Sequence, residues 1–445
     1  MEILSIHSGK AGIDVGLSCW DQYLREHYIL SNGGMDPNNP CYNELLEYNT
    51  FFEELNPNVF TPRALLIDCV QDDLEKVKQD PKMSIFRKDQ MIHGNEYTCH
   101  VYAKGHGFAG KKILDQSMEA IRIMAEECDH LQGFIFYRSL GGGTGTGFTS
   151  LLTEKLTSTF DKIGIHEYSI LPGSHPSSSA VAVYNTVLSI ADTLQTPKCA
   201  FMFDNNILFK WCKERLNILD PSYSNMNDIL ARILSSITAS LRFQSALNVT
   251  LDDFHRSLIP HPQLCFPLAS FAPISPSSEP TECTAHELIK ACFSDENQLL
   301  NCRLKNGEFL ASSLMFSGNV RTVDANKVLT KLRSSNQIKF VDWCQSIFKA
   351  GFNPRPTHIY PKTELAITKR QLCMLTNTTE LSKVFRGLRR KYEKLIKKKA
   401  FFHLYMDEGM EERDFFGAAE KLHTLEKNYE EIQHNNYCPK NAILE

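Results

Sequence analysis

Apolar segments that suit β-strands alternate with segments of helical periodicity in the first half of the chain. The strand-like segments, rich in β-branched and aromatic residues, lie at 3–7, 64–70, 134–137, 167–171 and 199–204. A tight turn is expected at 9–12, and helical spacing of apolar residues follows at 13–24, 111–128, 151–156 and 180–194. Repeated β-then-α units predict an α/β fold with a doubly wound, mostly parallel sheet. Such a sheet binds its ligand at the carboxyl ends of its strands.

The second half of the chain predicts a smaller α+β domain followed by helices. A core helix over 227–243 carries apolar residues every three or four positions and is long enough to join two domains. Three short apolar segments further on predict strands at 309–316, 338–341 and 371–375. The chain turns helical after 380, so we expect three domains, at 1–205, 206–380 and 381–445.

A glycine-rich loop separates the strand at 134–137 from the helix that follows it. Its sequence is Gly-Gly-Gly-Thr-Gly-Thr-Gly over 141–147. A strand, a glycine loop and a helix N-terminus together aim backbone N–H groups at an anion, and glycines leave room for phosphate oxygens. The alternative is a flexible linker, but linkers rarely join a buried strand directly to a helix. The loop has neither the Lys-Ser/Thr ending of a P-loop nor the spacing of a dinucleotide fingerprint, so it indicates a different nucleotide-binding family.

Composition and charge add an ordinary globular background. Hydrophobic residues make up 42% and charged residues 22% of the 445 positions, and the net charge of −4 favours neither nucleic acid nor a membrane as partner. The 14 cysteines include no Cys-x-x-Cys pair. The first residues lack the apolar segment of a signal peptide, and no apolar run is long enough to span a bilayer. We therefore expect a reduced, soluble, cytoplasmic protein.

Two groups of cations allow more than one interpretation. Lys10, in the turn after the first strand, either holds a phosphate or is a solvated turn lysine. Nine Lys and Arg residues between 383 and 399 form one strongly basic helix. That helix either binds nucleic acid or presents a solvated face or a docking surface for an acidic partner, and we prefer the second interpretation.

Several motifs resemble the eukaryotic tubulins over nearly the whole chain. The glycine loop differs from the tubulin signature Gly-Gly-Gly-Thr-Gly-Ser-Gly by one Ser-to-Thr change. Further matches are SSITASLRF at 235–243, DNN at 204–206, FVDWC at 340–344, NTT at 377–379 and EGMEE at 408–412. SSITASLRF is the α form, and THIYPKTEL at 357–365 fills a loop that β chains lack, so the chain resembles a divergent α-tubulin. The resemblance implies a GTP-binding domain, an intermediate domain and two C-terminal helices.

Matched position by position, the resemblance also implies a set of GTP contacts. The phosphates are expected at the glycine loop, and the base and ribose are expected at two amides and a tyrosine. An amide can pair with the guanine edge, whereas an aromatic ring stacks on any base. Ser178 stands where the family has Thr. The expected contacts are Lys10, Ser139, Gly142, Gly143, Thr144, Gly145, Ser178, Asn205, Tyr223 and Asn227.

Five positions near the phosphates, metal and ribose depart from the family. The first-loop Gln is Lys10, the Glu that approaches Mg²⁺ is Val70, and the ribose-side Glu is Ala182. A loop Asn and its neighbouring Asp are His100 and Tyr97. We hypothesise that the Lys10 ammonium partly replaces Mg²⁺ as counter-charge to the phosphates. No metal ligand is assigned, and the alternative is a site that binds GTP poorly.

The resemblance places the catalytic residue at Asp253, in the loop 248–255. α-Tubulins present a Glu here to the GTP of the next β subunit, where it positions the attacking water. Asp253 is one methylene shorter, a loss of about 1.5 Å in reach. A misplacement of about 1 Å costs roughly a hundredfold in rate. We expect a tubulin-type GTPase with a composite site between dimers and slowed hydrolysis, and Asp252 is the alternative carboxylate.

The partners that the resemblance implies are β-tubulin in a heterodimer, lattice neighbours in the microtubule and microtubule-associated proteins, all in the cytoplasmic cytoskeleton. The segment 434–445 lacks the clustered glutamates of the family, so we expect weaker attraction of cationic motor domains. The alternative function is a non-polymerising tubulin-like protein that binds β-tubulin or regulates microtubules without stimulating GTP hydrolysis.

Overall fold

Five of the twelve strands that the structure describes are buried along their whole length. The computed structural model describes residues 2–37, 48–173, 179–196, 199–243, 250–278, 281–334, 338–341, 348–354, 364–366 and 368–433. The strands of the first half are β1 (Glu2–Ser8), β2 (Phe52–Asn56), β3 (Val59–Pro62), β4 (Ala64–Asp68), β5 (Met91–His93), β6 (Leu131–Ser139), β7 (Gly164–Leu171) and β8 (Cys199–Asp204). Those of the second half are β9 (Leu268–Ala272), β10 (Phe309–Gly318), β11 (Phe348–Asn353) and β12 (Arg370–Thr378).

Helices connect the strands and close the chain. The helices before the second sheet are α1 (Gly9–Glu26), α2 (Asp72–Gln79), α3 (Tyr102–His106), α4 (Phe108–Glu126), α5 (Thr149–Thr159), α6 (Ala182–Thr193), α7 (Asn205–Glu214), α8 (Tyr223–Arg242) and α9 (Leu251–Leu258). The later ones are α10 (Ala285–Cys292), α11 (Thr322–Ser334), α12 (Leu381–Lys397), α13 (Phe402–Met406) and α14 (Glu412–Gln433). Among the described residues, no helix combines the length and the apolar character that crossing a membrane requires.

The first sheet is six-stranded and parallel throughout, in the order β5-β4-β1-β6-β7-β8. The chain first adds strands on one side of β1 and later returns to add β6, β7 and β8 on the other side. The strand order therefore reverses between β1 and β6. In doubly wound sheets the ligand binds outside the carboxyl ends of the strands at this reversal. The predicted α/β fold and doubly wound sheet are confirmed.

The second sheet mixes strand directions, in the order β11-β10-β12-β9. β10 runs parallel to β11 and antiparallel to β12, which pairs antiparallel with β9. Helix α8 packs between the sheets. Its Arg242 forms an ion pair with Glu26 of α1 at 2.7 Å, and its Arg232 donates to the Thr368 hydroxyl at 2.7 Å beside β12. This arrangement confirms the smaller α+β domain and the core helix, while the domain bounds 205/206 and 380/381 stay a prediction.

Three predicted segments differ from the structure at helix starts. No tight turn occupies 9–12, because Gly9 adopts a left-handed φ of +71° and α1 begins directly after β1. The core helix begins at Tyr223 rather than 227, because Ser222 and Asn225 form a capping box there. The loop predicted at 248–255 is wrong from Leu251 onward, where helix α9 begins, and its positions 248 and 249 lie outside the described part of the chain.

The strand predictions at the edges of the two sheets also differ from the structure. The prediction of a strand at 338–341 is wrong, since Phe340 makes only an isolated bridge to Phe309. The strand that extends this edge of the sheet is β11, where Phe352 stacks on Phe316 of β10 with ring centroids 5.1 Å apart. The short edge strand β5 was also missed, because its three residues were too few to show a periodic pattern.

Candidate functional site

The glycine loop lies at the carboxyl end of β6, beside the start of α1. A Cβ atom added at Gly9 would lie 3.0 Å from the backbone nitrogen of Gly145. The Thr149 hydroxyl donates to the Ser8 hydroxyl at 2.7 Å, which ties the helix after the loop to the end of β1. The loops after β1 and β6 therefore meet at the reversal of the sheet, where the fold places a ligand.

Close packing explains most of the glycines in this loop, but not Gly142. A Cβ atom at Gly143 would lie 2.7 Å from Thr98 Cβ and from the Val101 carbonyl oxygen. One at Gly145 would lie 2.8 Å from the Ser139 carbonyl oxygen. At Gly142 an added Cβ meets no atom of the chain within 4 Å. The backbone at Gly142 is thus open to the close approach of a ligand, as a phosphate cradle requires.

The hydroxyl groups of the loop hold its shape. The Ser139 hydroxyl accepts a hydrogen bond from the Gly141 N–H at 3.2 Å. Thr146 donates to the Gly142 carbonyl oxygen. A π-helical turn, Thr144–Phe148, leads from the loop directly into α5. Ser139, Gly142, Gly143, Thr144 and Gly145 therefore lie together at the carboxyl end of β6, and their role toward a nucleotide stays a prediction.

Asp68, the last residue of β4, is a site residue that sequence reasoning missed. It is buried, and its carboxylate accepts a hydrogen bond from the Thr144 hydroxyl at 3.0 Å. Burial raises the pKa of Asp68 to about 6, against the lowering effect of that hydrogen bond. A nearby cation would favour the charged carboxylate. Its position at the end of a predicted strand was the available signal.

Lys10 lies in the first turn of α1 and is ion-paired. Its ammonium donates to Asp73 Oδ1 at 2.9 Å, and Asp14 lies 3.7 Å away. Partial burial opposes the charged form, but the hydrogen bond to Asp73 and the charge of Asp14 raise the pKa of Lys10. The side chain is 60% exposed. Since exposed ion pairs contribute at most about 1 kcal/mol, the ammonium can exchange Asp73 for a stronger anion.

One buried amide, Asn185 of α6, connects three segments around the glycine loop. Its Nδ2 donates to the carbonyl oxygens of Gly141 at 2.9 Å and His100 at 2.6 Å. Its Oδ1 accepts from the Tyr102 N–H at 3.0 Å and from the Tyr405 hydroxyl at 2.7 Å. His100 has a left-handed φ of 58°, a costly backbone conformation that such a contact helps to hold. Helix α13 is thereby linked to the glycine loop.

A buried ion pair supports β6 immediately before the loop. The Arg138 guanidinium contacts Glu167 Oε2 at 2.7 Å, and both side chains are 1% exposed. Arg138 also donates to the hydroxyls of Ser189 and Thr193, each at 2.6 Å, and to that of Ser169 at 3.3 Å. Through these four contacts the guanidinium fixes the end of β6 against β7 and α6.

The residues expected at the guanine base lie in the first two turns of helices α7 and α8. Asn205 starts α7 at the carboxyl end of β8, and a Cβ at Gly173 would lie 3.5 Å from its Cβ. Tyr223 and Asn227 lie one turn apart on α8, on the same face, and Tyr223 is 58% exposed. Within the described residues, no hydrogen bond links these side chains to the glycine loop. Ser178 lies outside the described part of the chain.

The positions that depart from the family lie around the same edge of the sheet. Tyr97 is 61% exposed and donates to Asp72 at 2.8 Å, while Ala182 is buried at the start of α6. Val70 lies two residues beyond the end of β4 and brings no charge. No group of three or more His, Cys, Asp or Glu residues in the described part of the chain could hold a metal ion.

Asp253 lies at the other end of the first sheet. It is exposed in the first turn of α9, and its carboxylate accepts from the Thr250 N–H at 2.9 Å and hydroxyl at 2.7 Å. The Thr250 hydroxyl and N–H bonds lower the pKa of Asp253. The Leu251 N–H donates to Gln132 at 3.4 Å, near the amino end of β6. The structure therefore does not bring Asp253 to the glycine loop of its own chain.

Comparison with known families agrees with this architecture. Residues 2–213 match the GTPase domain of the Tubulin/FtsZ family, and residues 262–390 match the tubulin C-terminal domain. The chain belongs to the tubulin family. The matched GTPase domain contains the glycine loop, Asp68 and Asn185, and GTP is the ligand that a domain of this family implies. The second match covers the mixed sheet and most of α12.

We expect Tyr405→Phe to weaken GTP binding about fivefold in this tubulin-family chain, because it removes one of the hydrogen bonds that hold Asn185 against the glycine loop. Tyr392→Phe is the matched control. The Tyr392 hydroxyl donates to the Phe415 carbonyl oxygen at 3.2 Å in the same aromatic cluster, without contacting Asn185. The measurement is the dissociation rate of a fluorescent GTP analogue. Equal rates for the two variants would assign Tyr405 a packing role only.

Proposed function

We propose that the chain is a divergent α-tubulin, a GTP-binding structural subunit that pairs with β-tubulin in cytoplasmic microtubules. The supporting observation is that the glycine loop and Asp253 lie at opposite ends of β6, which spans nine residues and therefore roughly 26 Å. Head-to-tail contacts between subunits generate filaments. In such a stack the exposed Asp253 of one subunit meets the nucleotide edge of the next.

In this proposal, GTP lies along the carboxyl edge of the first sheet. Backbone N–H groups from Gly142 to Gly145 and the Ser139 hydroxyl bind the phosphates. Asn205 and Asn227 pair with the guanine and ribose edges, and Tyr223 stacks on the base. Asp68 is the carboxylate placed directly against the glycine loop, so it is the residue that would hold a Mg²⁺ ion. The ion would supply positive charge to the phosphates.

Lys10 is proposed to share that role. Its ammonium is exposed at the start of α1 and its present acceptor, Asp73, is also paired with Lys76 at 2.8 Å. Asp73 keeps a counter-ion when Lys10 turns toward a phosphate. Because the triphosphate carries several negative charges and a carboxylate only one, its attraction for the Lys10 ammonium is stronger than that of the exposed pair with Asp73. The Lys10 ammonium would then compensate for the missing metal-side Glu. GTP binding would therefore depend less on Mg²⁺ than in family members that keep this Glu.

Lys10→Gln is expected to raise the Kd for GTP about tenfold in the presence of a chelator, because a charge-assisted phosphate contact is lost. The Kd is measured by equilibrium titration with and without Mg²⁺. Lys78→Gln removes an exposed lysine of the same helix α2 and should leave the Kd unchanged. If wild-type GTP binding vanished in chelator, or if both variants behaved alike, Lys10 would have no counter-ion role.

Asp253 is the proposed catalytic carboxylate, which orients the attacking water on the GTP of the neighbouring β subunit. Asp253→Glu restores one methylene and is expected to speed lattice GTP hydrolysis by up to about a hundredfold. Asp253→Asn should nearly abolish it. Glu287→Gln is the control, since Glu287 holds the equivalent place in the Thr284 capping box of α10. Hydrolysis is measured as phosphate release during co-assembly with β-tubulin. No acceleration by Asp253→Glu would contradict the assignment.

Co-assembly with β-tubulin tests the proposal as a whole. The chain and β-tubulin are co-expressed, assembled with GTP and sedimented. We expect the chain in the pellet in equal amount to β-tubulin. A chain that binds β-tubulin but stays in the supernatant and blocks growth would instead support the non-polymerising regulator.

A further inference from the structure

Apart from Lys383, which pairs with Glu380 at 2.6 Å, the cations of helix α12 fall into two groups by what they face. Arg386 and Arg389, half-buried toward α14, both pair with Glu426, in the case of Arg389 at 2.9 Å. Arg386 also pairs with Glu430, and Arg389 with Glu393. These contacts neutralise the side of α12 that packs on α14. They explain part of the basic run as structural.

The second group is exposed and forms a separate surface. At about 100° per residue, its members lie within one sector of about 120° that is about 12 Å long. Within the described residues none of them makes an ion pair, although Lys391 lies near enough to Asp204 to act on its pKa. Glu393 is the sole acid of α12 and points outside this sector, toward Arg389. This surface, called the basic face, consists of Arg390, Lys391, Lys394, Lys397 and Lys398.

Helix stability does not account for the basic face. Like charges three or four positions apart destabilise a helix, and Lys394 has such neighbours at Arg390, Lys391, Lys397 and Lys398. The helix dipole favours cations only in the last turn, so it does not explain Arg390 or Lys391. The whole chain carries a net charge of −4, so the basic face is a local feature rather than part of a basic protein.

We propose that the basic face docks a short acidic polypeptide segment of a partner protein. Charge complementarity over about 12 Å matches roughly four residues of an extended segment. Glutamate and aspartate side chains at that spacing can each meet one of the cations. The segment binds outside the nucleotide site, so this docking does not depend on the GTP chemistry proposed above.

The surroundings of the basic face favour a short acidic segment over a longer polyanion. Lys399 pairs with Glu412 at 2.6 Å, which places the acidic turn 407–412 beside the C-terminal end of α12. That turn contains Asp407, Glu408, Glu411 and Glu412. Duplex nucleic acid carries one charge per about 1.7 Å and would extend beyond the face onto these carboxylates. A membrane surface would meet them too, whereas a four-residue segment would not.

The test uses the full chain in its purified form and a fluorescent ten-residue poly-glutamate peptide. Arg390→Gln, Lys394→Gln and Lys397→Gln are combined in one variant. The matched control combines Lys111→Gln, Lys213→Gln and Lys327→Gln, three exposed lysines on or beside other helices. We expect the basic-face variant to lose about tenfold in peptide affinity, and the control less than about twofold. Thermal melting of both variants checks that neither is unfolded.

Salt and competing polyanions complete the test. The slope of log affinity against log salt should fall in the basic-face variant and stay unchanged in the control. Equal affinity losses in both variants would overturn the proposal, because the peptide would then sense only overall charge. The proposal would also be overturned if the basic face bound a single-stranded oligonucleotide, or vesicles containing anionic lipid, more tightly than the poly-glutamate peptide. A poly-glutamine peptide should not bind.

Discussion

Glu167→Gln is expected to lower the free energy of unfolding of the first domain by about 3–5 kcal/mol, the largest stability effect that we predict. The substitution leaves the Arg138 guanidinium buried without its carboxylate, at 1% exposure of both side chains. The hydroxyls of Ser169, Ser189 and Thr193 accept hydrogen bonds from Arg138 but carry no charge. Because Arg138 directly precedes Ser139, the loss should also loosen the glycine loop.

Two companion variants separate this effect from a general loss of charge. Glu214→Gln breaks the exposed pair with Lys210, at 3.7 Å, and should cost less than about 1 kcal/mol. The double variant Arg138→Met/Glu167→Leu removes both charges and should recover much of the lost stability. Denaturant unfolding of the first sheet, followed by hydrogen exchange at β6, measures all three. A loss for Glu167→Gln no larger than for Glu214→Gln would contradict a supporting role for the pair.

Gly143→Ala is expected to weaken GTP binding by about a hundredfold. Its Cβ would lie 2.7 Å from Thr98 Cβ and from the Val101 carbonyl oxygen, so the loop must shift away from the segment that supports it. A displaced loop no longer directs its N–H groups at a common point. GTP affinity and the melting temperature without nucleotide are both expected to fall.

Gly142→Ala separates an obstructed phosphate approach from the loop displacement expected in Gly143→Ala. The added methyl group meets no atom of the chain within 4 Å, so the melting temperature without nucleotide should stay unchanged. If phosphates approach the backbone here, the same methyl group obstructs them and GTP affinity falls by about tenfold. Wild-type affinity in Gly142→Ala would mean that the phosphates lie elsewhere.

Periodicity and turn residues predicted the main architecture because they report burial directly. The strand at 199–204 was predicted to the residue, since its apolar run is bounded by Lys198 and by Asp204. Helix starts were less accurate, because they depend on single side chains such as Ser222 and Thr250 that form capping boxes. The edge strand β11 depends on pairing with β10, a long-range contact that local pattern does not contain.

The site could be predicted only where its residues are adjacent in sequence. The glycine loop was recognisable as one segment, whereas Asp68 and Asn185 reach it from other strands and helices. The placement of Asp253 and the glycine loop at opposite ends of β6 depends on where α9 packs, as in the contact of Leu251 with Gln132, and the local sequence pattern does not contain that long-range contact. The role of Lys10 likewise depends on Asp73, a residue far along the chain.

The nucleotide content of the purified chain, together with any partner that accompanies it, tests the central claim most directly. Nucleotide released on denaturation is identified and counted by chromatography for the wild type and for Gly143→Ala. We predict one more guanine nucleotide per complex in the wild type than in the variant. Equal guanine content in both, or a wild-type complex without guanine nucleotide, would contradict a GTP site at the reversal between β1 and β6.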